Sequence, residues 1–103
     1  MQTESPETLR VAIDQGHVLV VDVREPEEYQ KGHIPAAINM PLSTFSDHYQ
    51  ELEFEQEIHV ICQTGVRSAQ AVAFLEEKGF PAITVEGGMK AWKGNLNVEP
   101  SKS

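Results

Sequence analysis

The sequence holds a single cysteine, Cys62, among its 103 residues. One thiol builds neither an internal disulfide nor a cysteine-cluster metal site. The four histidines, His17, His33, His48 and His59, are scattered, with none paired at helical ligand spacing, so no metal is expected. No apolar run approaches the ~20 residues that span a bilayer. The opening Met1-Gln2-Thr3-Glu4-Ser5-Pro6 lacks the basic and apolar regions of a signal peptide. The expected location is therefore the cytoplasm, whose reducing milieu keeps an unpaired thiol free. Basic residues are scarce too: 8 Lys and Arg stand against 16 Asp and Glu, a formal net charge of -8. Nucleic acid, held through cationic contacts, is excluded as a partner.

What is present is an ordinary globular composition, 40% hydrophobic and 23% charged, in a chain that fits one domain spanning residues 1–103. Strand-like and helix-like segments alternate along it. Ser5-Pro6-Glu7 starts a helix with an N-cap serine and an N1 proline, Leu9, Ala12 and Ile13 give it an apolar face, and Gly16 ends it. Val18 to Val23 is a nearly continuous β-branched run, suited to a strand buried on both faces. Arg24 to Gly32 reads as a short helix with acids in its first turn, His33 to Ala37 as irregular, and Ile38-Asn39-Met40 as a short strand closed by Pro41. Leu42 through Phe54 reads as mostly helical, with Leu42, Phe45, Tyr49 and Leu52 at helix-like spacing. A strand over Ile58-His59-Val60-Ile61 leads to the cysteine, a helix over Ser68 to Lys78 follows, and Gly79 and Pro81 end it. Ala82 to Val85 is the next strand, and Gly87-Gly88 turns into a short helix carrying Met89, Ala91 and Trp92. Residues 95–103 form a polar tail that is expected to fray from Gly94 onward. Such alternation predicts an α/β fold with a central, mainly parallel sheet flanked by helices on both faces.

The stretch Cys62-Gln63-Thr64-Gly65-Val66-Arg67-Ser68 organises the rest. A lone cysteine at the end of an apolar strand is usually a small buried hydrophobe. Here, however, a polar, turn-forming segment follows it directly. A strand that turns through a glycine into a helix aims amide N–H groups back at the sulfur, and the helix dipole adds positive potential. That field favours thiolate over thiol, so Cys62 is expected to be more acidic than a free cysteine. Arg67 contributes a forked cation suited to oxyanions. Ligands of parallel sheets bind beyond the carboxyl ends of strands, where Cys62 would sit. A nucleophile inside an anion cradle is the result.

Three segments resemble the rhodanese-like domain family, in order and with its spacing: VVDVREPEEYQKGHIPAAINMPL (residues 20–42), CQTGVRS (62–68) and VEGGMKAWKG (85–94). The resemblance covers the chain from about Ser5 to Gly94 and implies a rhodanese-like α/β fold. It implies a sulfurtransferase moving sulfane sulfur from thiosulfate or another persulfide donor to a thiophilic acceptor, cyanide in an assay or a thiol in the cell. Cys62 matches the persulfide-forming nucleophile, and Gln63, Thr64, Gly65, Val66 and Arg67 match the loop that wraps the donor. Asp22 and Arg24 match the frame beside the site, with Ser68 closing the loop. No cofactor is implied beyond the covalent persulfide, and the implied partners are a small anionic sulfur donor and a thiol or protein acceptor. No membrane is involved, and a monomer or weak dimer is expected. Sulfane transfer needs a thiolate, an anion site for departing sulfite and amides for a persulfide anion. It needs no metal and no second cysteine.

Two other readings stand beside this one. A noncatalytic rhodanese module would bind a partner or sense redox state through Cys62; the intact cysteine and arginine favour the enzyme, because a pure binding module has no need of the nucleophile. Phosphatases of the related dual-specificity type carry one residue more between cysteine and arginine than the four found here, which ranks phosphatase and arsenate reductase low. Gln63 stands where many relatives are basic, and thiosulfate is correspondingly less favoured as donor. The net charge of -8 also slows a small dianion, although screening over about 8 Å lets a local cradle act. His33 is expected to pack and hydrogen-bond, His59 to alternate within its strand as a facing residue, and Met89 and Trp92 to join the core. Glu25, Glu27 and Glu28 are read as a dipole complement on a solvated face, and Glu51, Glu53, Glu55 and Glu57 as an exposed connection. Paired-carboxylate hydrolysis has no supporting constellation.

Overall fold

Burial on both faces is what makes such short strands viable, and the computed structural model, which describes residues 1–16, 18–53 and 55–98, shows that burial directly. Five strands form one sheet: β1 (Gln2–Glu4), β2 (Leu19–Asp22), β3 (Ala37–Asn39), β4 (Ile58–Ile61) and β5 (Ala82–Val85). Their spatial order is β1-β5-β4-β2-β3, and every pairing is parallel. The helices are α1 (Pro6–Gln15), α2 (Pro26–Lys31), α3 (Phe45–His48), α4 (Val66–Glu77) and α5 (Gly88–Ala91).

Side chains alternate across the sheet with the strand period of two. Val21, Ile58, Val60 and Ala82 point to one face, where Phe45 of α3 and Ala71, Val72 and Leu75 of α4 cover them. Val20, Ile61 and Val85 point to the other, against Leu9 of α1, Ile34 and the half-buried Tyr29, Met89 and Trp92. Each fully buried Val, Leu or Ile contributes on the order of 1.5–3 kcal/mol. Two cores on opposite faces thus hold the sheet, as the patterning predicts.

Several boundaries differ from expectation. The last buried segment before the cysteine strand is not one helix. It is a 3-10 turn at Leu42–Thr44, α3, and a second 3-10 turn at Tyr49–Glu51, after which Leu52 is extended. The apolar spacing was right, since Phe45 and Leu52 are buried and Leu42 and Tyr49 pack beside them. Phe45 and Tyr49 both meet Phe74 of α4 edge-on; Phe54, the end of the expected helix, lies outside the described residues. Residues 94–98 are not frayed either. His33 and Asn97 exchange backbone hydrogen bonds at 2.9 and 2.8 Å, and Trp92 Nε1 donates to the Asn95 carbonyl at 3.1 Å. The remainder of the tail, 99–103, lies outside the described residues, as does His17.

His59 faces a partner from within its strand and is buried. Its Nδ1 lies 2.5 Å from Glu4 Oε1, an ion-pair geometry that ties β4 to β1 across β5. His33 behaves as expected: Nδ1 donates to the Tyr29 carbonyl at 2.9 Å and its ring stacks on Tyr29 at 3.7 Å. Glu51, Glu53, Glu55 and Glu57 are all exposed. Among the described residues no helix is long and apolar enough to cross a membrane, and no cluster of His, Cys, Asp or Glu has the makings of a metal site.

Candidate active site

The chain leaves β2 toward one edge of the sheet and β4 toward the other, so the crevice between β2 and β4 is the topological switch point. Asp22 and Ile61 are register partners at its lip, and Cys62 follows immediately. The thiol is buried. Gln63 and Thr64 then turn through Gly65, whose φ of +110° is the left-handed conformation that favours glycine, into the first turn of α4. Helix α4 begins at Val66, two residues before the sequence expectation, because this turn lets the Gly65 carbonyl accept the Ala69 amide at 3.1 Å.

The amide of Gly65 donates to Cys62 Sγ at 3.0 Å, and the Ser68 hydroxyl lies 3.5 Å from the sulfur. Ser68 Oγ is in turn 2.6 Å from Thr84 Oγ1 and 3.1 Å from the Gly65 carbonyl. A serine hydroxyl has one proton and two acceptor sites. When Cys62 ionises, the Ser68 proton can turn to the sulfur while Thr84 supplies a proton to Ser68. Burial pushes the Cys62 thiol up, but the Ser68 hydroxyl and the amides of Ser68, Gly65 and Thr64 outweigh it, and the net shift is downward.

The loop is also held from behind. The amides of Met89 and Lys90, in α5, donate to the carbonyls of Cys62 and Gln63 at 2.7 and 3.0 Å. Those carbonyls are thereby occupied away from the sulfur. Gly88 permits the approach: its φ is +56°, and a Cβ there would sit 2.3 Å from the Cys62 carbonyl oxygen. The glycine pair reads as a turn in sequence, yet it serves as the loop's backing.

Asp22 and Arg24 form a buried ion pair beneath the loop, Nη2 to Oδ2 at 2.8 Å, with side chains 0% and 5% exposed. Arg24 Nη2 also donates to the Gly32 carbonyl at 2.8 Å, and Nη1 reaches Gln63 Oε1 at 3.4 Å. Arg24 therefore links the end of α2 to the residue after the cysteine.

Arg67 does not stand free. Its Nη1 and Nη2 donate to Glu28 Oε1 and Oε2 at 2.6 and 3.0 Å, a bidentate pair. Glu28 is fixed further by the Glu25 amide, 3.1 Å from its Oε1. The Arg67 hydrogen bonds outweigh burial and hold the Glu28 carboxyl down at about 2, and the same bonds raise Arg67, helped by the Cys62 and Asp22 charges.

Residues 5–95 match the model of the rhodanese-like domain family. The chain belongs to that family. It is similar to YtwF of Bacillus subtilis (strain 168), a protein whose sulfurtransferase name is itself provisional, at 39% identity over 75 residues, 73% of each chain. It is 34% identical over 82 residues to the thiosulfate sulfurtransferase GlpE of Pseudoalteromonas translucida (strain TAC 125), covering 79% of this chain and 78% of that one. The crystal structure of a rhodanese-like domain protein from Staphylococcus aureus matches 97% of this chain and 100% of its own, with a TM-score of 0.90 at 35% identity.

In this rhodanese-like domain the residues picked out in sequence do come together, with differences in detail. Cys62, Gly65 and Ser68 share direct contacts, and the Thr64 amide acts on the sulfur. Gln63 is half-buried against Arg24. Val66 is 65% exposed, so its side chain faces solvent. Three contributors were missed: Glu28, Thr84 and the α5 amides. Glu28 was read as a solvated acid, and its spacing from Glu25 signals a capping box without revealing Arg67 as a second partner. Thr84, a polar residue in a buried strand, was the available signal for a hydroxyl facing the site.

Proposed function

We propose that this rhodanese-like domain is a sulfurtransferase that carries sulfane sulfur as a persulfide on Cys62. The observation behind the proposal is the Gly65 amide at 3.0 Å from a buried, acidified Sγ, at the head of a 12-residue helix. In the first half-reaction the Cys62 thiolate attacks the outer sulfur of thiosulfate. A Cys62 Sγ–S bond forms, the donor's S–S bond breaks, and its electron pair departs with sulfite. The terminal sulfur bears the negative charge, which the loop amides stabilise. In the second half-reaction an acceptor takes that sulfur: cyanide gives thiocyanate and restores the thiolate.

Cys62 is the nucleophile, while Gln63, Thr64, Gly65, Val66 and Arg67 surround the donor. Asp22, Arg24 and Ser68 support the loop. The cycle uses no metal and no cofactor other than the cysteine persulfide, and a reducing, cytoplasmic setting suits its thiol and its thiol acceptors. The test is thiocyanate formation from a sulfane donor and cyanide, comparing the natural chain with Cys62→Ser. Turnover lost in a folded variant supports the reading, and turnover retained without Cys62 refutes it.

A further inference from the structure

Both arginines that reach the loop are matched by carboxylates of this chain. Arg24 is matched by Asp22, and Arg67 by Glu28, with both Nη atoms engaged at 2.6 and 3.0 Å. Glu28 is held in that position from two sides, because the Glu25 amide binds the same carboxylate and Arg24 anchors the end of α2 at Gly32. Gln63, the residue after the cysteine, is neutral and turned to Arg24. Neither arginine at the mouth is left without a carboxylate, in a chain of net charge -8.

The charge carried through the reaction differs sharply between donors. Thiolate plus thiosulfate brings three negative charges together, and these persist as a persulfide anion and sulfite. Thiolate plus an organic hydropersulfide, R–S–SH, brings one. In that step Cys62 Sγ bonds to the terminal sulfur, the donor's S–S bond breaks, the pair leaves on R–S⁻, and the proton stays on the new Cys62–S–SH. The higher the charge brought in, the more the complex gains from a free guanidinium beside the amide dipoles.

Resting on the sulfurtransferase reading above, we infer that Glu28 sets the donor class: by holding Arg67, it selects an organic hydropersulfide over the thiosulfate dianion. Glu28 acts through Arg67 and is a positioning residue. Releasing the guanidinium would recreate a dianion site without altering the thiol.

The experiment measures kcat/KM with cyanide as acceptor for two donors, thiosulfate and cysteine hydropersulfide, in the natural chain, Glu28→Gln and Glu28→Gln/Arg67→Ala. The natural chain is expected to prefer the hydropersulfide by at least about tenfold. Glu28→Gln should cut that preference about threefold, through a lower KM for thiosulfate, and the added Arg67→Ala should restore it. A merely structural Glu28 would depress both donors together, and that result overturns the inference. So does a natural chain that uses thiosulfate as well as the hydropersulfide, a comparison that needs no variant. If Cys62 takes sulfur from neither donor, the sulfurtransferase reading itself falls and this inference with it.

Discussion

The amide of Met89 donates to the carbonyl of Cys62 at 2.7 Å, so a short helix from the far end of the sequence braces the nucleophile's own peptide. This contact makes α5 part of the site through its backbone amides. It also makes Gly88 the least replaceable residue behind the loop. An added Cβ would meet the Cys62 oxygen at 2.3 Å and two Gln63 backbone atoms at 2.7 Å, all rigid neighbours.

Gly88→Ala should therefore cost about 3 kcal/mol of stability through overpacking and strain, with sulfur transfer reduced further. Gly79→Ala is the control, having a φ of +89° but nothing within 4 Å of its Cβ. Backbone strain alone there costs roughly 1–2 kcal/mol. Urea denaturation of both variants makes the comparison, and equal losses would contradict the bracing role.

Ser68→Ala should make Cys62 less acidic. Burial raises the thiol, and the variant removes the largest of the hydrogen bonds that lower it. One such bond is worth about 1 kcal/mol, roughly fivefold in the thiol's ionisation constant. The rate of iodoacetamide alkylation against pH reports the shift, with the midpoint moving upward in the variant. Because the folded thiol titrates below its unfolded value, its ionisation contributes stability in full above the unfolded value. That contribution is lost as pH falls through the folded one.

Arg24→Met should unfold the domain more readily than any surface change, because it leaves Asp22 fully buried without its partner. Breaking a buried pair costs about 3–5 kcal/mol. In a domain of this size each kcal/mol lowers Tm by about 4–8 °C. Replacing both residues, as Asp22→Asn/Arg24→Met, should recover part of the loss in a thermal melt.

The Glu28 carboxyl should titrate near about 2, well below its ordinary range, and return toward that range in Arg67→Ala. NMR of the side-chain carboxyl over acidic pH measures it. Its value is lowered on folding, so its contribution to stability is complete above the unfolded value and disappears as pH falls toward 2. The pair is about one-third exposed on each side, and its worth in stability should stay below about 1 kcal/mol.

Much of this architecture is local and therefore readable in the residues themselves. The β-branched run before Asp22, the serine before α1 and the proline that opens it, and the glycine after Thr64 each act within a few residues of where they stand. Cys62 at a strand end, followed by Gly65 and a helix, already defines the cradle. What was not readable depends on pairs brought together only by packing. Glu28 and Arg67 are 39 positions apart, and Ser68 and Thr84 are 16 apart. Their meeting depends on how α2 and β5 dock against the loop. Residues 94–98 likewise look polar and loose, yet backbone bonds to His33 hold them, and backbone partners leave no trace in side-chain pattern.

The central claim, a persulfide carried on Cys62, is tested most directly by intact-protein mass spectrometry. The purified chain is treated with thiosulfate and, separately, with cysteine hydropersulfide, and each sample is then exposed to cyanide. A gain of one sulfur located on Cys62, removed by cyanide and absent in Cys62→Ser, is the predicted result. A folded chain with a free thiol that gains no sulfur from either donor would contradict the account.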